Sequence, residues 1–575
     1  MEYGKVKAPW LQYYGIVPQT LEYSMETLSG GVVTESKRHP DYYAYSFFGK
    51  RTTYAAAVDE IKRCATALRA TGVRENERVT ICLPNCPQAV TIFYAVNMIG
   101  AIANMVHPLS GQKEIEFYLN DSKSVAAITM DQFYGKFAAI RQNVPTLKYM
   151  MIVQLQDALP PLTKVGYMLT KARKIPKIPA DADVIFWKDL MARGSVDCVP
   201  TLRKPGDPAV ILYSGGTTGV TKGILLSNLN FNALAAQIVA TNPMFEPGDR
   251  MLAIMPMFHG FGLGVSIHSM LFNGGECILV PQFTPKTYAE LLKKYKPNFI
   301  AGVPTLFEAL LRLDGLEKLD LSCLKGMFSG GDSLSVELKK RVDQFLKAHN
   351  ASIEVREGYG TTECVTASCL TPYNMSKEGS IGIPFPDTYY KIVKVGTEDE
   401  VPYGEEGEIC LAGPTVMLEY VGHPEETANT LRRHMDGLTW VHTGDLGIMD
   451  EDGFVYFRQR IKRMIITSGY NVYPSQLENI LDANEYVHLS CVIGVKDPYR
   501  VQRTKAFVVL KPGVEKSEEV REKIREYCAV HMAKYAVPKE IEFRDELPKT
   551  LVGKVAYRIL EEEEAQKEEN PQTHA

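Results

Sequence analysis

The sequence of 575 residues is longer than one ordinary hydrophobic core supports, so at least two domains are expected. Hydrophobic residues make up 45% of the chain and charged residues 23%, which is typical of a soluble globular enzyme. The net charge of -4 argues against a nucleic-acid partner, and the sequence lacks a long uncharged apolar run or a signal-peptide core. We therefore expect a cytoplasmic protein.

The 11 cysteines and 11 histidines are scattered without a metal-binding spacing. No two cysteines form a Cys-x-x-Cys pair, so reduced core thiols are expected. No two histidines stand four residues apart, which excludes a helical zinc pair. A metal cage built only from protein ligands is therefore not expected.

Between residues 45 and 360, short apolar runs alternate with amphipathic helical patterns. This alternation predicts an α/β fold, in which helices cover mostly parallel sheets and ligands bind beyond the carboxyl ends of the strands. The predicted strands are residues 79–83, 125–130, 209–213, 277–280, 298–302 and 353–357, and the clearest helices are residues 87–99, 287–295 and 333–347.

After Gly407 the chain changes to shorter strand-like runs, which predict a β-subdomain. A basic cluster follows, and the runs beyond it predict a compact α+β unit. We therefore expect a large N-terminal domain over residues 1–461 and a small C-terminal domain over residues 462–575. The acidic tail from Glu561 is expected to be the end of a helix that runs into disorder.

Residues 155–185 have the composition of an insertion. No acidic residue stands between Asp157 and Asp181, whereas basic and apolar side chains alternate there. A solvated surface loop is one interpretation, and contact of residues 160–178 with a membrane surface is the other. The side chains concerned are Lys164, Lys171, Arg173, Lys174 and Lys177, beside Val165, Tyr167, Met168 and Leu169.

The strongest local signal follows the predicted strand 209–213. It is the stretch Tyr213-Ser-Gly-Gly-Thr-Thr-Gly-Val-Thr-Lys-Gly223, in which most positions are Gly, Ser or Thr. Glycines let backbone N–H groups point toward one place, hydroxyls add donors, and Lys222 adds a positive charge. These features predict a polyphosphate loop, although the spacing is not that of a Walker motif.

This loop resembles the phosphate loop of the adenylate-forming superfamily, which includes acyl-CoA synthetases, firefly luciferase and the adenylation domains of peptide synthetases. The resemblance extends from about Thr53 to Arg558 and implies that the small domain is mobile. The other matching motifs, in the order of the family, are Met255-Pro-Met-Phe-His-Gly-Phe-Gly262, Ser329-Gly-Gly-Asp332, Glu357-Gly-Tyr-Gly-Thr-Thr-Glu363, Gly379-Ser-Ile-Gly-Ile-Pro384, Gly407-Glu-Ile-Cys-Leu-Ala-Gly413, His442-Thr-Gly-Asp-Leu-Gly447, Arg460-Ile-Lys-Arg-Met-Ile-Ile-Thr-Ser-Gly-Tyr-Asn-Val-Tyr-Pro474 and Leu547-Pro-Lys-Thr-Leu-Val-Gly-Lys554.

The resemblance implies an ATP site assembled from several of these motifs. Tyr359 is expected to stack on adenine, Asp445 to accept hydrogen bonds from both ribose hydroxyls, and Thr362 to contact the α-phosphate. Glu363 is expected to help hold Mg²⁺, because this hard cation prefers carboxylate and phosphate oxygens. Nucleotide contacts are also implied for Ser214, Gly215, Gly216, Thr217, Thr218, Gly219, Lys222, Gly331, Asp332, Gly360, Thr361, Arg460 and Lys554.

Lys554 resembles the catalytic lysine of the family, which bridges the attacking carboxylate and the α-phosphate. Two anions must approach each other in this reaction, so a cation aimed at both stabilises the transition state. The expected catalytic residues are Lys554, Thr362, Glu363 and His259.

An acyl pocket is implied beside His259, which is expected to open or close it. The glycines after His259 remove side-chain volume from the helix expected to line this pocket, and that favours a medium- or long-chain fatty acid over acetate. The residues assigned to the pocket are His259, Phe261, Gly262, Gly264, Gly330 and Gly358.

The resemblance places the hinge between the domains at Lys462 and implies that Ser468, Gly469 and Tyr470 approach coenzyme A. Two departures from the family pattern stand out. Asp332 and Ser333 follow the glycine pair where a small residue and proline are usual, and residues 499–502 replace a common Gly-Glu pair.

The implied reaction uses Mg-ATP to convert a carboxylic acid into acyl-AMP and pyrophosphate, after which coenzyme A takes the acyl group and AMP leaves. A ligase that loads a carrier protein in trans, an aryl-acid CoA ligase, an oxidoreductase of the luciferase kind and a non-catalytic acyl or nucleotide sensor remain open. The expected partners are the acid, ATP and coenzyme A, and the chain is expected to be a monomer or homodimer.

Overall fold

The computed structural model describes residues 6–180, 182–213, 221–313, 316, 318–467, 470–497, 499–550 and 554–569. Within them the chain forms four sheets, two of which are rich in parallel strands and packed against helices. This arrangement confirms the predicted α/β class.

The first large sheet has eight strands, and its central pairs are parallel. Its strands, in spatial order, are Glu419–Tyr420, Gly223–Ser227, Pro208–Tyr213, Ile102–Met105, Arg78–Cys82, Ala126–Met130, Tyr149–Val153 and Ile185–Phe186.

The second large sheet has nine strands, with antiparallel pairs only near its two edges. Its strands, in spatial order, are Ile383–Pro384, Cys369–Leu370, Val355–Tyr359, Gly326–Ser329, Phe299–Gly302, Arg250–Ala253, Glu276–Leu279, Tyr43–Phe47 and Lys50–Thr53.

A β-subdomain and a C-terminal sheet complete the strands. The β-subdomain is antiparallel, and in the C-terminal sheet only the last strand pairs in parallel. The β-subdomain contains Tyr389–Val393, Glu406–Ala412, Leu431–Arg433, Thr439–Met449 and Val455–Arg460, and the C-terminal sheet contains Ile465–Thr467, Tyr470–Val472, Val487–Asp497, Val501–Leu510 and Glu540–Arg544.

The helices begin and end where the sequence offers capping groups. For example, the Thr53 hydroxyl accepts a hydrogen bond from Ala56 N–H at the start of helix Tyr54–Thr71, and Gly72 ends that helix with φ of 116°. The α-helices are Leu28–Arg38, Tyr54–Thr71, Pro87–Met98, Gln112–Asp121, Tyr134–Ile140, Pro161–Thr170, Trp187–Ala192, Asn228–Ala240, Ser269–Phe272, Pro285–Tyr295, Pro304–Leu311, Val336–Ala348, Pro424–Thr430, Pro474–Asp482, Glu518–His531 and Tyr557–Glu569, and Phe261–His268 is a π-helix.

One continuous apolar core joins the two large sheets. The helix Pro87–Met98 lies within it, and because this helix is apolar on all sides, every residue after Pro87 is buried. None of the helices in the described ranges combines the length and the apolar character needed to span a membrane.

The chain after Lys462 has apolar clusters of its own. Its last helix is tied to the C-terminal sheet by the buried Lys505, whose ammonium group lies 2.9 Å from Glu564. The acidic tail is therefore a structural helix as far as Glu569, and the residues beyond it lie outside the described part of the chain. The domain boundary near Lys462 stays a prediction, which these separate clusters favour.

Candidate active site

The candidate site lies at the carboxyl ends of two neighbouring parallel strands. Gly326–Ser329 and Val355–Tyr359 pair with Ser329 opposite Glu357. As a consequence, Gly330 leaves the sheet beside Gly358. This is the edge at which open α/β sheets bind ligands.

A cavity opens at this edge, with about 730 Å³ of free space that includes its mouth to solvent. Among the described residues that line it there is no charged side chain, and aromatic and aliphatic side chains predominate. Such a surface suits an apolar ligand. The lining residues used below are Ile238, Met251, Phe261, Val265, Phe299, Phe328, Gly330, Gly331, Gly358, Tyr359 and Gly360.

The glycines predicted for the acyl pocket have two different environments. Gly330 and Gly358 line the cavity, and a Cβ on Gly330 would lie 3.3 Å from the Gly358 carbonyl oxygen. Gly262 and Gly264 are not among the lining residues. A Cβ on Gly262 would lie 2.2 Å from the Pro256 carbonyl oxygen, so glycine is needed there for close backbone packing instead of pocket volume.

Tyr359, Asp445 and Arg460 form a polar cluster at the cavity. The Tyr359 hydroxyl donates to Asp445 Oδ2 at 2.7 Å, and Arg460 Nε lies 3.2 Å from Asp445 Oδ1. Burial raises the pKa of the Asp445 carboxyl, although Arg460 and Tyr359 oppose this rise. Asp445 Oδ1 is buried and has no hydrogen bond of good geometry within the described structure, so it remains able to accept one.

The turn that carries Asp445 is held by Glu408, a residue that the sequence did not single out. Its carboxylate accepts hydrogen bonds from Gly444 N–H and from His442 Nδ1, both at 2.9 Å. Although burial opposes the effect, these two bonds lower the pKa of the Glu408 carboxyl. Glu408 therefore positions Asp445 through the backbone.

A second polar cluster joins the loop lysine to the turn Thr362–Cys364. The Tyr420 hydroxyl donates to Glu363 Oε1 at 2.7 Å, and Lys222 Nζ lies 5.0 Å from the centre of the Tyr420 ring. Lys222 also lies 3.7 Å from Glu426 Oε1. Tyr420 thus brings the predicted phosphate-binding lysine and the predicted magnesium ligand together, a role for which the sequence carried no local signal.

Lys554 reaches the same edge from the C-terminal part of the chain. Its backbone pairs with Thr550, and a Cβ on Gly331 would lie 3.9 Å from Lys554 Nζ. Burial lowers the pKa of the Lys554 amine, while the carboxylates of Asp332 and Asp445 act in the opposite direction.

His259 lies close enough to Lys554 to be affected by its charge. Burial and the charge of Lys554 lower its pKa to about 3, and its Nδ1 accepts a hydrogen bond from Phe261 N–H at 3.2 Å. The imidazole is therefore neutral at ordinary pH and is placed to shape the site without carrying charge.

The remaining predicted residues are placed differently. Thr361 is buried at the start of the turn that contains Thr362. Lys462 is exposed in a short 3-10 turn, and the ring of Tyr470, 55% exposed, stacks on Tyr535 at 4.5 Å. The predicted residues Ser214, Gly215, Gly216, Thr217, Thr218, Gly219, Ser468 and Gly469 lie outside the described residues.

The clusters at this edge have the chemistry of a nucleotide site beside an apolar ligand. Asp445 offers a carboxylate acceptor beside Arg460, Lys222 and Lys554 offer cations, and Gly331 leaves room for a ligand to approach the backbone. In the described part of the chain the Glu363 carboxylate accepts from Tyr420 through Oε1, which leaves Oε2 as the oxygen for a metal ion. Such an oxygen together with phosphate oxygens fits the preference of Mg²⁺.

Comparison with known proteins also indicates a nucleotide site. The model of the AMP-binding enzyme family matches residues 33–421, and that of the AMP-binding enzyme C-terminal domain matches residues 476–554. A long-chain fatty acid–CoA ligase of Bacillus subtilis (strain 168) is 36% identical over 568 residues, which cover 97% of this chain and 98% of the relative. A long-chain fatty acid–CoA ligase of Escherichia coli O6:H1 is 31% identical, with 93% and 94% covered.

Among solved structures, an anthranilate CoA ligase in complex with anthranoyl-AMP superimposes with a TM-score of 0.82. Its sequence is 25% identical, and the match covers 95% of this chain and 98% of that one. The similarity therefore spans both the large and the small parts of the molecule.

Proposed function

The chain belongs to the AMP-binding enzyme family, and from that membership we propose that it is an AMP-forming ligase that joins a medium- or long-chain fatty acid to coenzyme A. In the first half-reaction the acid carboxylate attacks the α-phosphorus of ATP, and pyrophosphate leaves. In the second, the thiol of coenzyme A attacks the acyl carbon, loses its proton, and AMP leaves. ATP and coenzyme A are substrates, and Mg²⁺ is the metal.

One observation carries the proposal. A cavity whose described lining residues are uncharged opens beside Lys554, and Asp445 lies at the same edge with its Oδ1 able to accept a further hydrogen bond beside Arg460. An acyl chain in the cavity would place its carboxylate near the Lys554 ammonium. That cation would reduce the repulsion between the carboxylate and the α-phosphate and would stabilise the charge that develops as they react.

The roles of the other residues follow from where they lie. Asp445 would bind the ribose hydroxyls through Oδ1, and Tyr359 would present its ring to adenine while its hydroxyl stays bound to Asp445. Glu363 would hold Mg²⁺, whose charge neutralises phosphate oxygens. His259 would shape the entrance to the acyl pocket as a neutral ring.

The fatty-acid assignment has two supports. The cavity is lined by apolar side chains, and the two bacterial relatives above are long-chain fatty acid–CoA ligases. An aryl acid is the alternative substrate, favoured by the similarity to an anthranilate CoA ligase.

Coenzyme A as acceptor rests on the same relatives. We propose that coenzyme A approaches at Ser468, Gly469 and Tyr470. Lys462 is the proposed hinge about which the C-terminal part moves between the two half-reactions. An acyl-AMP ligase that loads a carrier protein in trans is the alternative.

We also propose a location, a membrane contact and an oligomeric state for this protein. All 11 cysteines are free thiols, which favours a cytoplasmic, reducing location. Membrane contact through residues 160–178 is favoured by the exposure of that segment, and the chain is proposed to be a monomer or homodimer.

The test is pyrophosphate release from Mg-ATP with acids from acetate to palmitate, and with benzoate. Lys554→Ala should lower the rate with the best acid at least about 100-fold, since it removes a preorganised cation from a site of developing charge. Lys549→Ala is the matched control, because Lys549 is exposed in the same hairpin. If Lys554→Ala keeps full activity, or if no acid supports release, the proposal fails.

The acceptor is tested in the same reactions by mass spectrometry. Acyl-CoA should appear when coenzyme A is present, and AMP should form in equal amount. Accumulation of acyl-AMP without thioester would favour the carrier-protein alternative, and a preference for benzoate would favour the aryl-acid alternative.

A further inference from the structure

The helix Pro161–Thr170 turns its apolar face toward solvent. Leu162 is 89% exposed, and Val165 and Leu169 are each 56% exposed. The spacings of three and four residues place these side chains on one face of the helix. A surface helix normally buries such a face against the protein, so this orientation requires an explanation.

The opposite face attaches the helix to the protein. Tyr167 is partly buried and packs against the large apolar core, and Lys164 is the other residue of the helix that is not fully exposed. The helix therefore cannot turn its apolar face inward without losing the contact of Tyr167. The exposed apolar face is a consequence of how the helix is held.

A strongly basic segment follows this helix. It includes the short turn Ala172–Lys174, and its four cations are exposed. Within the described residues, no carboxylate lies within ion-pairing distance of these cations, and Asp157, the acid that precedes the segment, is paired with Lys188 at 3.2 Å. The cations are Lys171, Arg173, Lys174 and Lys177.

We infer that the apolar face of helix Pro161–Thr170 and the basic segment after it form one docking surface for an anionic lipid bilayer. Apolar side chains on a single helical face can enter the boundary between headgroups and acyl chains, while adjacent lysines and arginines attract anionic headgroups. A bilayer supplies both kinds of contact in one plane. The inference deepens the membrane contact proposed for residues 160–178 by naming its two kinds of contact and the anionic bilayer, and it does not depend on the proposed reaction.

The inference is tested with the full chain by co-sedimentation with neutral phosphatidylcholine vesicles and with vesicles that contain about a third phosphatidylglycerol, near the ionic strength of cells. The wild type should bind the anionic vesicles at least tenfold more tightly than the neutral vesicles. An apolar variant, Leu162→Ser/Val165→Ser/Leu169→Ser, and a charge variant, Lys171→Gln/Arg173→Gln/Lys174→Gln/Lys177→Gln, should each weaken this binding at least tenfold.

Matched controls come from exposed residues elsewhere. Val199→Ser/Leu202→Ser removes two exposed apolar side chains, and Lys347→Gln/Lys394→Gln/Lys496→Gln removes three exposed charges. Both control variants should bind as the wild type does, within about twofold. Thermal melting without vesicles should be unchanged in all four variants, because the changes are on the surface.

Three results would overturn the inference: no binding to anionic vesicles, equal binding to neutral and anionic vesicles, or wild-type binding by the apolar variant. Pyrophosphate release with a water-soluble acid, measured without vesicles, should be the same in both docking variants and in the wild type. Because that activity is measured separately, failure of the membrane inference and failure of the proposed reaction give different results.

Discussion

Glu357 directly precedes Gly358, a residue that lines the cavity. The carboxyl group of Glu357 is buried. Its hydrogen-bond donor is Leu334 N–H, at 3.3 Å from Oε1. Burial raises the pKa of this carboxyl to about 8, from 4.5. Near neutral pH the folded protein therefore keeps a proton on Glu357 that the unfolded chain has already released.

This proton predicts how stability depends on pH. Below the unfolded pKa, both states hold the proton and Glu357 contributes nothing to the pH dependence. As pH rises from about 4.5 to 8, only the unfolded state releases it, so the wild type becomes less stable. Glu357→Gln removes the titration, and at about 1.4 kcal/mol for each pH unit the variant should gain about 2–4 kcal/mol relative to the wild type between pH 5 and 8.

The measurement is the melting temperature of both proteins from pH 5 to pH 8. Asp482, a second carboxyl whose pKa burial raises to about 8, is present in both proteins and cancels in the comparison. Parallel curves for the wild type and Glu357→Gln would show that Glu357 is already ionised at pH 5.

Individual site residues were predictable where a motif carries them. Tyr359 and Asp445 were assigned from motifs far apart in the chain, and the structure joins them by a hydrogen bond of 2.7 Å. Tyr420 and Glu408 were missed. Tyr420 reaches Glu363 because its strand pairs with Gly223–Ser227, and such a register between distant strands leaves no local pattern in the sequence.

Two helices, Asn228–Ala240 and the π-helix Phe261–His268, supply part of the cavity wall, through residues that include Ile238 and Val265. If the acyl chain lies against this wall, a larger side chain should shorten the longest acid accepted. Ile238→Trp should lower kcat/KM for a 16-carbon acid at least tenfold, because an overfilled packed site cannot relax at low cost.

The same variant should change kcat/KM for an eight-carbon acid by less than about threefold, and Ile238→Leu, which keeps the volume, should change neither value by more than that. Equal losses for both acids in Ile238→Trp would mean that the chain does not extend along this wall.

The sequence distinguished strands from helices better than it indicated the hydrogen-bond geometry within a helix. The run 209–213 was found as strand Pro208–Tyr213, because apolar residues bounded by turn signals are distinctive. The π-helix was not foreseen. At its end Ser269 N–H donates to the Gly264 carbonyl oxygen, five residues back. A short stretch that is apolar on every side has no hydrophobic periodicity, so its sequence cannot distinguish a π-helix from an α-helix.

The C-terminal part of the molecule is held in one orientation by contacts with the large part. His488 Nδ1 lies 3.4 Å from Glu308 Oε1, and the Ser475 hydroxyl bonds to Gln459 across the proposed hinge. In this orientation Lys554 occupies the site edge. We propose that a thiol reaches the same acyl carbon only after the C-terminal part reorients about Lys462.

A proline at the hinge should therefore separate the two half-reactions. Lys462→Pro restricts rotation at a position that already lies in a 3-10 turn. Pyrophosphate release in a single turnover should stay within about threefold of the wild type, while thioester formation should fall at least about 100-fold, because most of the second conformation is lost.

Lys462→Ala is the control, since it removes the exposed side chain and keeps the backbone free. It should retain both half-reactions in a rapid-quench assay. Normal thioester formation by Lys462→Pro would place the hinge elsewhere, and loss of pyrophosphate release would mean that proline had disturbed the first conformation.

The glycines at the carboxyl ends of the strands make one end of the cavity wall rigid. At the carboxyl ends of the strands the cavity wall is the backbone of Gly330, Gly358 and Gly360, and packed backbone cannot easily rearrange around an extra methyl group. Farther in, the wall consists of side chains such as Met251 and Phe299, which can change rotamer. If the acid lies in the cavity with its carboxylate beside Lys554, we expect a branch beside the carboxyl carbon to be rejected and the same branch near the methyl end to be tolerated.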